Sequence, residues 1–261
     1  MRALALIAGL VAVVAHAGTI DDGIPDARYR AYGETFRPYT CRLAGFNTQG
    51  QPQVGTCTLI APHWALTAAH VVADMTSIGV LSNAGYHRVD RVFVHRDWAD
   101  VFAQHDIALV HVVKPFELQR YPPLTDGTEK LGSVVTAVGY GVTGRLSEGY
   151  SRGDAEIRAG TMRLTGAEAS VYVCDIRRGG SPLPFCIAPG DSGGPLWGVA
   201  SDGRTVLVGV NSYTAKVGKS PVRSRVGEES GHTRVSLYRE WIAEIAGPLD
   251  TPCTLAGCQR Q

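Results

Sequence analysis

Between residues 58 and 213 the chain is a succession of short apolar stretches rich in Val, Ile, Thr and Tyr, with Gly, Pro, Asp or Asn commonly between them. They fall at 58–61, 64–69, 89–94, 107–113, 134–140, 155–164, 171–174, 195–199 and 206–213. β-branched and aromatic side chains suit a half-buried pleated surface, and the turn residues between them reverse the chain. The pattern therefore predicts an all-β sandwich or barrel. The 31 glycines in 261 residues, about one in eight, fit the many turns such a fold needs. This length accommodates one large all-β domain or two smaller ones. Pro122-Pro123 and Asp126-Gly127 interrupt the stretch 115–130, which reads as a linker between two β halves. A helix is expected at 236–246: Ser236 is a candidate N-cap, Leu237, Trp241, Ile242 and Ile245 share a face, and Gly247-Pro248 stops it. Residues 18–40 read as polar and turn-rich, and 249–261 as a polar, Cys-containing tail.

The first 17 residues have the form of a leader. A short basic start, Met1-Arg2, precedes a nearly unbroken apolar run and the A-x-A site Ala15-His16-Ala17. The run is too short for the roughly 18–20 residues of a spanning helix, so a cleaved signal peptide is expected rather than an anchor. Arg2 is the only charge in it, so the rest of the chain carries 24 Lys+Arg against 24 Asp+Glu. That balance offers no basic surplus for nucleic acid or anionic lipid, and export implies a secreted protein, extracellular or periplasmic.

Export also gives the six cysteines a meaning, because thiols on an oxidising route pair. Six allow 15 connectivities. The nearest-neighbour set, Cys41–Cys57, Cys174–Cys186 and Cys253–Cys258, closes the shortest loops and is the preferred expectation, with the other connectivities left open. No CxxC pair or zinc-type Cys/His spacing occurs, so no metal and no cofactor is expected. His63, His87, His95, His111 and His232 are read as surface or packing residues.

Three segments carry chemistry: Leu66-Thr67-Ala68-Ala69-His70, His105-Asp106-Ile107-Ala108-Leu109, and Pro189-Gly190-Asp191-Ser192-Gly193-Gly194-Pro195. Together they supply a base, an acid and a nucleophile. A serine hydroxyl needs an adjacent base to take its proton, and an imidazole has a pKa suited to that task. The imidazole in turn needs a carboxylate to fix its tautomer. Glycines around Ser192 let the backbone turn tightly and bare N–H groups to a developing oxyanion.

These motifs resemble the histidine, aspartate and G-D-S-G-G-P serine motifs of the chymotrypsin/trypsin family of serine proteases, in the family's order, and the overall likeness is to its bacterial secreted members. The resemblance implies two antiparallel six-stranded β-barrels with a C-terminal helix and a cleft between the barrels. The domain would span 18–248, with an N-terminal barrel at about 28–120 and a C-terminal barrel at about 121–235. It implies His70 as general base, Asp106 as its orienting carboxylate and Ser192 as nucleophile, with the N–H groups of Gly190 and Ser192 as the oxyanion hole. Ser212, Tyr213 and Thr214 would bind substrate, with Cys186 at the pocket base.

Where trypsin-like members carry an aspartate at that base this chain has Cys186, and Thr214 replaces a usual glycine. A small or medium apolar residue before the scissile bond is therefore expected, in place of Lys or Arg. Val71 and Ala188 stand where cysteines are usual, so the disulfide framework is rearranged. Ile20-Asp21-Asp22-Gly23 has the outline of the family's activating N-terminus, with Asp191 as its carboxylate; an ordinary polar N-terminus is the alternative. Expected partners are peptide or protein substrates and a protein inhibitor, with the protein itself a monomer. Two other functions are the alternatives: a non-catalytic binding module on the same scaffold, and an α/β-hydrolase esterase using Ser192, Asp202 and His232.

Overall fold

The computed structural model describes residues 18–99, 104–177, 179–216 and 221–249. The leader and the tail cysteines Cys253 and Cys258 lie outside the described residues. Strand β1 (Thr19–Ile20) is followed by helix α1 (Asp26–Glu34). The first barrel comprises β2 (Thr40–Asn47), β3 (Pro52–Ala61), β4 (Trp64–Thr67), β5 (Met75–Ser82), β6 (Gly85–Val94) and β7 (Ala108–Val112). It closes in the order β2-β3-β4-β7-β6-β5 with every neighbouring pair antiparallel, and a short helix α2 (Ala69–Val72) leaves it between β4 and β5.

The second half holds β8 (Val134–Gly139), β9 (Thr143–Arg145), β10 (Gly149–Arg152), β11 (Arg158–Glu168), β12 (Val171–Asp175) and β13 (Phe185–Cys186). It continues with β14 (Pro195–Val199), β15 (Thr205–Ala215), β16 (Glu229–Arg234) and helix α3 (Arg239–Ala246). Strands β11-β12-β16-β15-β14-β8 close the second antiparallel barrel, while β10-β9-β1-β13 form a small separate sheet. Closure leaves neither barrel with an unpaired edge. Residues 113–133, where the linker was expected, carry no strand beyond the isolated bridge Leu124↔Leu207.

Burial organises the halves into two clusters. Leu43, Leu66, Ile107 and Leu109 of the first barrel share one cluster with Val138, Trp197, Leu207 and Val210 of the second, so the barrels are packed on each other through apolar side chains. The interior of the second barrel holds Met162, Leu164, Tyr172, Leu196 and Val208, joined by Ile20 and Tyr29 from the N-terminal segment. All four described cysteines are buried. Cys41 and Cys57 are cross-strand partners on β2 and β3 with sulfurs 2.6 Å apart, and Cys174 and Cys186 share the second cluster.

Two local readings change. The segment expected to be irregular contains α1, whose buried residues are only Tyr29 and Gly33, too few to give a periodic sequence signal. Polar contacts hold it instead. Tyr29 Oη donates to the Pro184 carbonyl at 2.9 Å, and Arg158, itself buried, makes paired hydrogen bonds to Asp26 and Asp154. At the C-terminus the expected helix start is a 3-10 turn, Val235–Tyr238, and Leu237 is exposed; Ile242 is the fully buried residue of α3. No helix among the described residues is long and apolar enough to cross a membrane.

Arg158 links α1 to β11, and its carboxylate partners retain partial water contact, so losing it should cost less than breaking a fully buried pair. We predict that Arg158→Ala destabilises the protein by about 2 kcal/mol, which is a fall in Tm of roughly 4–8 °C for a chain of this size. An unchanged thermal melt would show that α1 is held by its apolar contacts alone.

Candidate active site

The candidate base and its candidate carboxylate arise where the first barrel's strands end. His70 lies in α2 just beyond β4, and Asp106 just before β7, two strands that pair antiparallel through Thr67↔Ala108. His105 adopts φ 54°, a left-handed turn that sets Asp106 against His70. Asp106 Oδ2 lies 2.7 Å from His70 Nδ1, and Asp106 Oδ1 accepts the His70 backbone N–H at 2.9 Å. Two hydroxyls of the second barrel complete the setting: Ser212 Oγ donates to Asp106 Oδ2 at 2.5 Å and Thr233 Oγ1 to the Asp106 carbonyl at 2.8 Å. Burial pushes the Asp106 carboxyl up, but the His70 and Ser212 hydrogen bonds and the imidazole's charge hold it below the usual carboxylate range.

Ser192 sits in the loop between β13 and β14, and its neighbours fix that loop from both barrels. Thr56 of β3 is the central clamp. Its N–H donates to the Ser192 carbonyl at 2.9 Å and its hydroxyl to the Gly190 carbonyl at 2.8 Å. Gly193 donates to the Asn211 carbonyl at 2.8 Å and has φ +83°; a Cβ there would lie 2.0 Å from Thr67 Oγ1, so only glycine fits. Among the described residues, the N–H groups of Gly190 and Ser192 are donated to no backbone acceptor.

Asp191, beside the nucleophile candidate, is fully buried. Its carboxylate accepts N–H bonds from Gly18, Gly141 and Ala188, each at 2.8 Å. Burial pushes it up to about 7, against the lowering effect of those three donors. The expected N-terminal geometry is thus displaced. Ile20 is buried in β1 opposite Phe185, and the nitrogen at Asp191 belongs to Gly18, two residues earlier.

The residues expected to bind substrate take different positions. Ser212 directs its hydroxyl to Asp106, while Tyr213 and Thr214 remain partly exposed on β15. Cys186 is fully buried in the second barrel's cluster, where burial holds its thiol well above the ordinary range. Glu228 is a buried acid whose charge reaches Cys186. Its carboxylate is already engaged by the N–H groups of Arg223 and Arg225 and lies 3.5 Å from the Arg225 guanidinium.

Sequence reading missed Thr56 and Asn211. Asn211 donates through Nδ2 to the carbonyls of Val138 and Asp191 and pairs through Oδ1 with His232 Nδ1 at 2.9 Å. His232 Nε2 meets Ser230 Oγ at 2.9 Å, so Asn211 of β15 and His232 and Ser230 of β16 form a buried polar chain across the two paired strands. Nothing in the motifs marks these residues, since their partners are distant in sequence. Asp202 lies instead at the exposed turn after β14, paired with Arg204. His95, Asp97 and His105 bring ligand-type atoms within 4.8 Å of one another. The two imidazoles stack 8° from parallel, however, so their in-plane lone pairs run side by side rather than toward one point.

Two closed antiparallel six-stranded barrels, with a histidine–carboxylate pair from one and a glycine-framed serine from the other, define the chymotrypsin-like class of serine peptidases. The chain belongs to the trypsin family, whose sequence profile matches residues 30–242. It is 28% identical to chymotrypsin-C of Rattus norvegicus over 226 residues, covering 72% of this chain and 77% of that protein. It is 26% identical to chymotrypsin-like elastase family member 1 of Felis catus over 255 residues, 85% and 91% of the two chains. A collagenase of Hypoderma lineatum is 28% identical over 238 residues, 84% and 86% of the two chains.

Burial alone lowers the pKa of His232 to about 3. A histidine depressed in the folded state contributes stability that is present above its unfolded value near 6.5 and is lost as pH falls toward 3. We predict that wild-type stability declines below pH 6.5 by up to about 1 kcal/mol per pH unit from this group. His232→Gln, though less stable at neutral pH, should decline less steeply. Denaturant melts from pH 7 to 4.5 test this, and parallel profiles for the two proteins would rule it out.

Proposed function

We propose that the protein is a secreted serine endopeptidase acting through His70, Asp106 and Ser192. The observation that carries this reading is the buried Asp106 carboxylate on His70 Nδ1 and N–H, combined with a serine loop clamped by Thr56. In this reading His70 Nδ1–H stays on Asp106, which leaves Nε2 free to take the Ser192 proton as Oγ attacks the scissile carbonyl carbon. The oxyanion that forms is met by the N–H groups of Gly190 and Ser192; losing one such donor costs about 10²–10³ in rate. His70 then hands the proton to the departing amine, leaving an acyl-enzyme. Water attacks that ester by the same route and restores Ser192. Asp106 contributes by fixing the tautomer and stabilising the imidazolium.

Cys186 and the engaged Glu228 support an apolar preference before the scissile bond, because Cys186 offers no charge to a substrate cation and the Glu228 carboxylate is already committed to Arg223 and Arg225. The Thr214 side chain narrows the entrance in the same sense. The relatives include proteins named as chymotrypsin, elastase and collagenase, which accords with peptide or protein substrates. The leader-like segment and the closely apposed Cys41 and Cys57 sulfurs support export and a bridge between β2 and β3.

Ser192→Ala should lower peptide cleavage by at least about 10⁴-fold and abolish labelling by a fluorophosphonate. Equal labelling of both proteins would remove the mechanism. On a diverse peptide library the wild-type profile should favour small or medium apolar residues before the cut; dominance by Arg or Lys would overturn the specificity. Thr56→Val should reduce kcat about tenfold or more with little change in KM, through loosening of the Gly190–Ser192 loop. A change in KM alone would assign Thr56 to substrate binding instead.

A further inference from the structure

Three consecutive residues around Asp106 are each held by a different partner. Tyr238 Oη lies 3.1 Å from His105 Nδ1, Thr233 Oγ1 donates to the Asp106 carbonyl at 2.8 Å, and the His95 N–H donates to the Ile107 carbonyl at 3.1 Å. His105 has φ 54°, a left-handed conformation that a residue with a side chain keeps only when its surroundings impose it. Relaxing that turn would move Asp106 relative to His70.

An aromatic box imposes it. The His105 ring stacks on His95 with centroids 5.3 Å apart, Tyr238 meets both rings edge-on, and Trp241 meets His95 at 63°. His95 Nδ1 accepts the Asp97 N–H at 3.3 Å, so the packing calls for an uncharged His95. A proton on that nitrogen would face another donor, and Asp97 Oδ2 is 3.9 Å away, beyond hydrogen-bond reach. Burial, and next the nearness of His105, lower the His95 imidazole below its ordinary value. The other charged groups around the pair are engaged or face water. Asp106 is committed to His70 and Ser212, and Arg239 donates to the Leu124 and Thr125 carbonyls. Arg96, Asp97, Glu240 and Glu244 are exposed.

We propose that His105 is a positioning residue for Asp106, and that its stack on His95 makes the placement of that carboxylate sensitive to acid. The inference rests on the secreted endopeptidase reading above. While the pair is uncharged or carries one proton, the stack closes the box and fixes the left-handed turn. A second proton sets two imidazolium rings face to face, and like charges at that separation repel. The stack then parts, the turn relaxes, and Asp106 no longer fixes the His70 tautomer. Because the packed pair is uncharged, its support is complete above about pH 6.5, the value of a free histidine, and is lost as pH falls. The enzyme therefore switches off in acid more steeply than protonation of His70 alone dictates.

The test follows fluorophosphonate labelling at Ser192, and peptide kcat and KM, from pH 8 to 4.5 for the exported full chain and for His95→Phe. That variant keeps an aromatic ring in the stack without a titrating nitrogen, and thermal melting at each pH reports folding. The two should label alike at pH 8. One pH unit below the acid step the wild type should have a kcat about tenfold lower with little change in KM, the effect of one extra proton. The imidazole NMR signals of the pair should titrate in two separated steps in the wild type and in one in His95→Phe. His105→Ala should lower kcat at every pH. His105→Asn, whose side chain tolerates the left-handed turn, should recover most of that loss and lack the acid step. If His95→Phe does not fold, His95→Gln and the wild-type titration make the same comparison. Superimposable pH profiles, a change confined to KM, or independent titration of the two rings would overturn the proposal while leaving the peptidase reading standing. Failure of the wild type to label at any pH would overturn both.

Discussion

The buried carboxylate of Asp191 is the point on which the active half of this molecule turns. Three segments distant in sequence end on it: the N-terminal strand through Gly18, the turn after β8 through Gly141, and the loop before Ser192 through Ala188. None of the three is a long regular element, and each alone would be free to move. Convergence on one desolvated group makes their positions interdependent, because removing any donor leaves a buried oxygen short of a partner. The Asp191 carbonyl is engaged as well, by Gly194 N–H and Asn211 Nδ2, so side chain and backbone are both committed.

A second set of bonds makes chemistry depend on the docking of the two barrels. His70 and Asp106 come from the first barrel and Ser192 from the second. Across the junction, Ser212 and Thr233 reach Asp106 from one side while Thr56 reaches Ser192 and Gly190 from the other. Apolar contacts such as Trp197 and Val210 with the first barrel's cluster supply adhesion without direction. The hydroxyls supply direction. The polar bonds thus set the register within an interface that hydrophobic burial already closes.

Sequence reading is most direct where a role calls for contiguous residues. The motifs around His70, Asp106 and Ser192 were visible because each role proposed for them needs neighbours of defined type within a few positions. Strands that are short apolar stretches, such as β7, β8 and β14, were legible as well. Strands β2, β5 and β16 were not, since their sequences, TCRLAGFN, MTSIGVLS and ESGHTR, mix glycine and polar residues that only barrel closure buries. Helix α1 escaped because its anchor is the ionic contact of Asp26 with Arg158, 132 residues away. Thr56 and Asn211 likewise act through partners that no local pattern can bring together.

The same reasoning explains why the N-terminal reading moved by two residues. Ile20 drew attention because a β-branched residue followed by x-x-Gly is a visible pattern, whereas Gly18 is unremarkable in a chain with 31 glycines. Ile20 is apolar and takes the apolar place, buried with Tyr29 and Phe185 in the second barrel's cluster. The atom that meets Asp191 must be a nitrogen with no side chain in its way, since the Phe185 ring fills the space where a Cβ would stand. Resemblance to a family motif therefore singled out the strand that carries the contact, and steric exclusion chose the residue that makes it. The second constraint is invisible until the fold brings residue 185 against residue 18.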